Sequence, residues 1–129
     1  MRYQNKKSWN YRVYEDCEYN LYHDFGNIAH PFFQINGNHL KVKEGYTWDG
    51  ASGLAIDTDN FMSPSLIHDI LFQCMREDLL NSDRFKHSNI ELKMQCRERG
   101  MSRFRSWYVY QAVDKFGKKY IKSDIKEVE

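Results

Sequence analysis

Between residues 9 and 21 the odd positions Trp9, Tyr11, Val13, Cys17, Tyr19 and Leu21 are apolar, and Asn10, Arg12, Asp16, Glu18 and Asn20 fall between them. Alternation of period two puts every second side chain on one face of an extended chain, which predicts two strands broken near Glu15-Asp16. A turn at Phe25-Gly26-Asn27 precedes an apolar run over 28–35. Pro31 inside that run has no amide proton to give a ladder, so an edge position is expected for it. Asn36-Gly37, between Phe33-Gln34-Ile35 and Leu40-Lys41-Val42, predicts a hairpin with this dipeptide at its centre, because a type I′ turn needs positive φ at both central residues. The N-terminal part is therefore expected to be a small, twisted antiparallel sheet.

The strand ending at Tyr46-Thr47-Trp48 leads into Asp49-Gly50-Ala51-Ser52-Gly53, and the period changes after it. Ser63-Pro64 reads as an N-cap with proline at the first helical position. At about 100° per residue, Leu66, Ile67, Ile70, Leu71, Cys74 and Met75 fall on one face of a helix over 64–79. Ser88-Asn89-Ile90-Glu91 has the capping-box pattern, and the helix it would start ends at Gly100. Ser102 is placed to cap a third helix carrying Phe104, Trp107, Tyr108, Ala112, Val113 and Phe116 and ended by Gly117. The expected fold class is α+β, with an N-terminal antiparallel β-sheet of hairpins packed against three C-terminal helices. One domain would cover 1–122, followed by a charged tail over 123–129.

Composition agrees with one globular domain: 129 residues, 16% aromatic and 29% charged, with a formal net charge of +1. Three widely spaced cysteines, Cys17, Cys74 and Cys96, suit neither a disulfide framework nor a paired-cysteine zinc site, and a reducing compartment follows. No apolar core stands behind the basic first residues, and no run approaches the roughly 18 apolar residues of a membrane span, so neither a signal peptide nor a span is expected. The near-zero net charge conceals an asymmetry. Residues 1–83 hold 7 Lys/Arg against 12 Asp/Glu, residues 84–122 hold 11 against 3, and the last seven hold 1 against 3. The C-terminal helices are the basic half.

Candidate chemistry concentrates between residues 45 and 75. His68 lies at the margin of the apolar helix face, and Asp69 is turned about 100° away from it. Such a histidine is ordinarily a hydrogen-bonded core residue. With carboxylates nearby it can serve as a general base or a metal ligand, because the carboxylate fixes the tautomer and stabilises the imidazolium. Asp49 and Ser52, on a glycine-bearing loop at a strand end, either shape a turn or face a ligand. Asp49 and Asp69 are the candidate ligands of a divalent cation, the one cofactor these residues suggest. Asp57 and Asp59 offer further oxygens without the spacing of a helix-loop-helix calcium site, and a solvated loop is the simpler reading. His23, His30 and His87 have no ligand spacing. In the basic half, Arg97, Arg99, Arg103, Arg105, Lys115, Lys118, Lys119 and Lys122 with Trp107, Tyr108 and Tyr110 either bind phosphates and stack bases, or form a solvated surface over core aromatics.

Three segments taken in order, Gly45-Tyr46-x-Trp48-Asp49-Gly50-Ala51-Ser52, then Ser65-Leu66-Ile67-His68-Asp69-x-Leu71, then Gly100, Arg103 and Ala112-Val113 before Gly117, resemble the small phage and prophage proteins catalogued as domain of unknown function 1353. The resemblance spans roughly residues 28–117 and implies a phage or prophage origin, without implying an activity. Two positions depart from that pattern: Gly53-Leu54 stands where members have proline, and Asn89 stands where they tend to have aspartate. By analogy, adjacent His68-Asp69 on a helix, the Asp49-Gly50 loop and Asn89 on the next helix also look like the arrangement of secreted phospholipases A2, whose histidine activates water and whose aspartate binds calcium. The disulfides and calcium loop of those enzymes are absent here.

The first functional expectation is a phage-encoded accessory protein that binds a host or virion partner, with Trp48, Ser52, Asn89, Arg103 and Arg105 as candidate contact residues. It would act in the host cytoplasm or on the virion. The second is a metal-assisted hydrolase of esters or envelope components, with His68, Asp69 and Asp49 as its catalytic residues. A third is nucleic-acid binding through residues 97–122.

Overall fold

In the computed structural model, which describes residues 3–5, 11–48 and 59–117, with side chains over 11–48, 61–115 and 117, alternation becomes burial. The strands are β1 (Tyr3–Asn5), β2 (Tyr11–Val13), β3 (Cys17–Asn20), β4 (Asn27–His30), β5 (Phe33–Asn36), β6 (His39–Val42) and β7 (Thr47–Trp48). They form two antiparallel sheets, β1-β2-β7 and β3-β6-β5-β4. The chain thus has the expected α+β order, sheets first and three helices after, and divides into two compact units, Met1–Asp57 and Thr58–Glu129.

In the first unit Tyr11, Val13, Tyr19 and Leu21 are buried while Arg12, Glu18 and Asn20 are exposed. The strand break falls where the acidic pair stands, and Asp16 Oδ1 there accepts from the Glu44 amide at 2.8 Å. Two turn expectations are corrected. Pro31 follows an edge strand, β4, but is not within it: His30 pairs with Phe33, so Pro31-Phe32 is the whole connection between β4 and β5. A turn uses proline's fixed φ and asks nothing of its missing amide. In the next hairpin Asn36 pairs with His39, which makes Gly37-Asn38 the central dipeptide. Gly37 has φ +65, and Asn38 does not have positive φ. One positive φ at the first central residue is the type II′ pattern, and glycine supplies it without a Cβ clash. Strand β1, only three residues long, carries no alternation that the sequence could reveal.

The second unit begins with α1 (Asp59–Arg76), so Ser63-Pro64 does not start the helix. Proline at its sixth residue removes one helix hydrogen bond and costs about 3 kcal/mol. The earlier start brings Phe61 and Met62 into the core, each 2% exposed, and burial of two such side chains at about 1.5–3 kcal/mol each offsets that cost. Leu66, Ile67, Ile70, Leu71, Cys74 and Met75, the expected face, are all buried.

A 3-10 turn at Ser82–Arg84, capped by Asn81 Oδ1 accepting from the Asp83 amide at 3.0 Å, runs directly into α2 (Phe85–Glu98). The supposed capping box is therefore helix interior. Ser88 is fully buried and donates to the Phe85 carbonyl at 2.8 Å, and Glu91 is fully buried and accepts from Gln95 Nε2 at 2.7 Å. The earlier start lets Phe85 bury, and a serine hydroxyl is satisfied equally well by the carbonyl of the preceding turn. At the other end the Gly100 expectation holds. Gly100 has φ +93, its amide donates to Arg97 O at 3.1 Å and that of Met101 to Cys96 O at 3.0 Å, a Schellman closure.

Helix α3 (Arg103–Phe116) starts where Ser102 Oγ accepts from the Arg105 amide at 3.1 Å, and α2 packs on both α1 and α3. Its aromatic residues are not where a core would put them. Ser106 and Val109 are fully buried, whereas Phe104, Trp107 and Tyr108 are 73%, 51% and 48% exposed. The apolar stripe that fits against α2 is the narrow one through Ser106, Val109 and Val113, and the three large rings fall outside it.

Candidate functional site

Helix α1 delivers His68 to the seam of the three helices. Its Nε2 lies 2.8 Å from Asn89 Oδ1 on α2, and Asn89 Nδ2 donates to Asp114 Oδ1 on α3 at 3.2 Å. Beyond it, Lys86 Nζ stands 3.6 Å from Asp114 Oδ2. The acceptor at one end fixes the rest: a carboxylate must receive the amide NH₂ of Asn89, which turns the amide oxygen towards His68. His68 Nε2 must then carry the proton and donate, leaving Nδ1 as the lone-pair nitrogen.

The ring also packs on Phe72, one helical turn along α1, with centroids 4.1 Å apart. Phe72 in turn meets Phe85 at 5.6 Å. Burial disfavours the imidazolium and lowers the His68 pKa from 6.5 to about 4, opposed in part by the hydrogen bond to Asn89. At neutral pH His68 is an uncharged donor within a hydrogen-bonded chain. Every buried side-chain nitrogen and oxygen among the described residues has a partner, so the polar seam is a satisfied one.

Of the residues singled out by sequence, His68 and Asn89 are brought together. Asp69 is half-buried on α1. Asp49, Ser52 and Asp57, Trp9 at the start of the alternating stretch, Lys118, Lys119 and Lys122, and the tail over 123–129 lie outside the described residues, as does the side chain of Asp59. Trp48 is buried in β7 against Tyr11, with ring centroids 5.5 Å apart. Arg103 is exposed and Arg105 half-buried, both on the first turn of α3. Among the described residues no group of three His, Cys, Asp or Glu side chains is placed to hold a metal ion. The histidines without ligand spacing have local partners: His30 Nδ1 accepts from the Phe32 amide at 3.1 Å, and His87 Nδ1 accepts from Arg84 Nε at 3.2 Å.

Sequence reasoning missed Asp114 and Lys86, though a signal existed. Asp114 sits in the last turn of α3 and Lys86 in the first turn of α2, each at the helix end whose dipole disfavours its charge. Residues placed against the dipole invite a search for a specific partner, and here each is the other's. Glu91 was missed for another reason. Assigning it to a helix start gave it solvent, whereas it is buried beside Gln95, whose Oε1 receives Arg99 Nη1 at 2.5 Å.

A second region, on the exposed side of α3, adjoins the seam at Asp114. At about 100° per residue, Arg103, Asp114, Trp107, Gln111, Phe104, Lys115 and Tyr108 follow one another around about 140° of α3, and all but the half-buried Asp114 are exposed. Phe104 and Trp107 touch, with centroids 6.2 Å apart, and Lys93 Nζ lies 5.5 Å from the ring centre of Tyr110 at the margin. No family model, curated protein or solved structure matches the chain. Among the described residues no helix is long and apolar enough to cross a membrane.

Proposed function

We propose that this is a phage or prophage accessory protein, related to the family its motifs resemble, that acts by binding a host or virion partner, in the host cytoplasm or on the particle, and not by catalysis. The observation that carries the reading is the exposed ring face of α3. Three large aromatic side chains on one helix face, each about half exposed or more, are costly to leave in water and are enriched where proteins meet partners. The His68 seam supports the same reading from the other side. A general base works best with a pKa near the working pH, and an imidazole that takes a second proton only near pH 4 is a weak one. Its Nε2 is also committed to Asn89. The seam is then a polar tie that aligns the three helices, and its Asp114 end borders the binding face.

Replacing Phe104, Trp107 and Tyr108 together by serine tests the assignment. The melting temperature should move by no more than a few degrees, because exposed side chains contribute little to stability. The biological effect of the protein, scored by complementation in its phage, should disappear. His68→Ala should do the reverse, lowering the melting temperature while removing no hydrolytic activity. Turnover of an ester or envelope substrate that His68→Ala abolishes without loss of stability would instead establish the hydrolase.

A further inference from the structure

We infer that the partner of the α3 face is single-stranded nucleic acid, held by stacking of its bases on Phe104, Trp107 and Tyr108 and by contacts from its phosphates to the surrounding cations. This rests on the reading of α3 as the binding face and names the chemistry of what binds. The occupant must satisfy both components of that face. The exposed large apolar side chains of α3 are all aromatic, flat surfaces that accept any base without regard to sequence. Cations stand on the same face, at either end of the rings along the helix. Arg103 and Lys115 lie on the same arc, with Arg97 and Arg99 at the end of α2 and Arg105 on the first turn of α3. From Lys93 to Lys115 there are six Lys/Arg against two acids, Glu98 and the half-buried Asp114.

A polyanion with flat apolar groups matches this surface in charge and in shape. A lipid surface matches it less well, because Gln111 and Lys115 fall between the rings in projection, where an interfacial helix would carry a continuous apolar face. A duplex would offer its phosphates but keep its bases out of reach of the rings. Arg103 and Lys115 are twelve residues apart, about 18 Å along the helix axis, so the phosphate contacts can bracket the stacking residues.

The test uses the full-length protein and a fluorescein-labelled oligothymidylate of about 20 residues, followed by anisotropy. Binding should weaken with salt, with a log–log slope of about −2 to −3 for three or four neutralised phosphates. Trp107→Ala and Phe104→Ala should each weaken it by roughly 5- to 100-fold while leaving most of the slope intact. Lys115→Gln should reduce the slope by about 0.7 and spare the stacking contribution. The corresponding duplex should bind more weakly than the single strand, and its affinity should be insensitive to Trp107→Ala.

Equal binding of duplex and single strand, unaffected by the ring variants, would reduce the interaction to adsorption of a polyanion and overturn the inference. If phosphatidylglycerol vesicles bind in place of the oligonucleotide, or if the chain is a dimer that Trp107→Ala dissociates, the α3 face remains a binding surface and only the nucleic-acid assignment falls. If the ring variants unfold the protein, the reading of α3 as a binding face falls with it.

Discussion

Lowering the pH from neutral towards 4 should cost the folded protein stability through His68, by an amount set by the burial of its ring. In the unfolded chain the imidazole takes its second proton near pH 6.5, whereas in the fold it does so only at about 4. Between those values the unfolded state binds a proton that the folded state refuses, so acid pulls the equilibrium towards unfolding. The contribution is fully present above about pH 6.5 and is lost as the pH falls through 4. Two and a half pH units at 1.36 kcal/mol each give about 3 kcal/mol as an upper bound. In a chain of this length that corresponds to about 6–15 °C in melting temperature. Urea unfolding of the wild type and of His68→Gln, at pH 7 and pH 4, isolates the effect. Glutamine can still donate to Asn89 Oδ1 but does not titrate, so carboxylates that also protonate cancel in the comparison. The wild type should lose about 3 kcal/mol more than the variant over this interval. A difference below about 1 kcal/mol would refute the claim that His68 is held neutral by burial.

Three further substitutions probe the helical unit. Asn89→Asp places a carboxylate where an amide donated to Asp114 at 3.2 Å, and should cost about 1–3 kcal/mol at neutral pH. The same change should raise the His68 pKa, read by the NMR titration of its ring, and a value still near 4 would contradict the seam as described. Gly117→Ala brings a Cβ to 2.9 Å from Phe72 Cζ and 2.5 Å from the Val113 carbonyl, so chemical denaturation should show a loss of about 1–3 kcal/mol from overpacking. Ser102→Ala removes the acceptor of the Arg105 amide and should lower stability by about 1 kcal/mol, with hydrogen exchange quickening in the first turn of α3 and not in α2.

Much of this architecture follows from local chemistry. Alternation from Tyr11 to Leu21 is enough to make strands, because burial of one face leaves the chain no other register. The 3.6-residue stripe from Leu66 to Met75 defines the buried face of α1 for the same reason, and Ser102 and Gly100 mark their helix ends because caps are satisfied within a few residues. Signals that depend on neighbours in space are less legible in the sequence. Ser63-Pro64 and Ser88-x-x-Glu91 are good starts in isolation, but burying Phe61, Met62 and Phe85 moved both helix starts upstream. A capping side chain contributes about 1 kcal/mol, and a buried aromatic contributes more.

The sequence by itself determined the α+β order, the strand alternation, the apolar face of α1 and the presence of a histidine at that face's edge. Tertiary structure alone decided what that histidine meets. Asn89 and Asp114 are 21 and 46 residues away from it along the chain, and only the packing of α2 between α1 and α3 brings them into one hydrogen-bonded line. The same packing turned Ser106 and Val109 inward and left Phe104, Trp107 and Tyr108 in solvent. Helical periodicity shows which residues share a face. Which face is buried depends on the fit between helices, and in α3 the narrow stripe of small side chains fitted where the broad aromatic one did not.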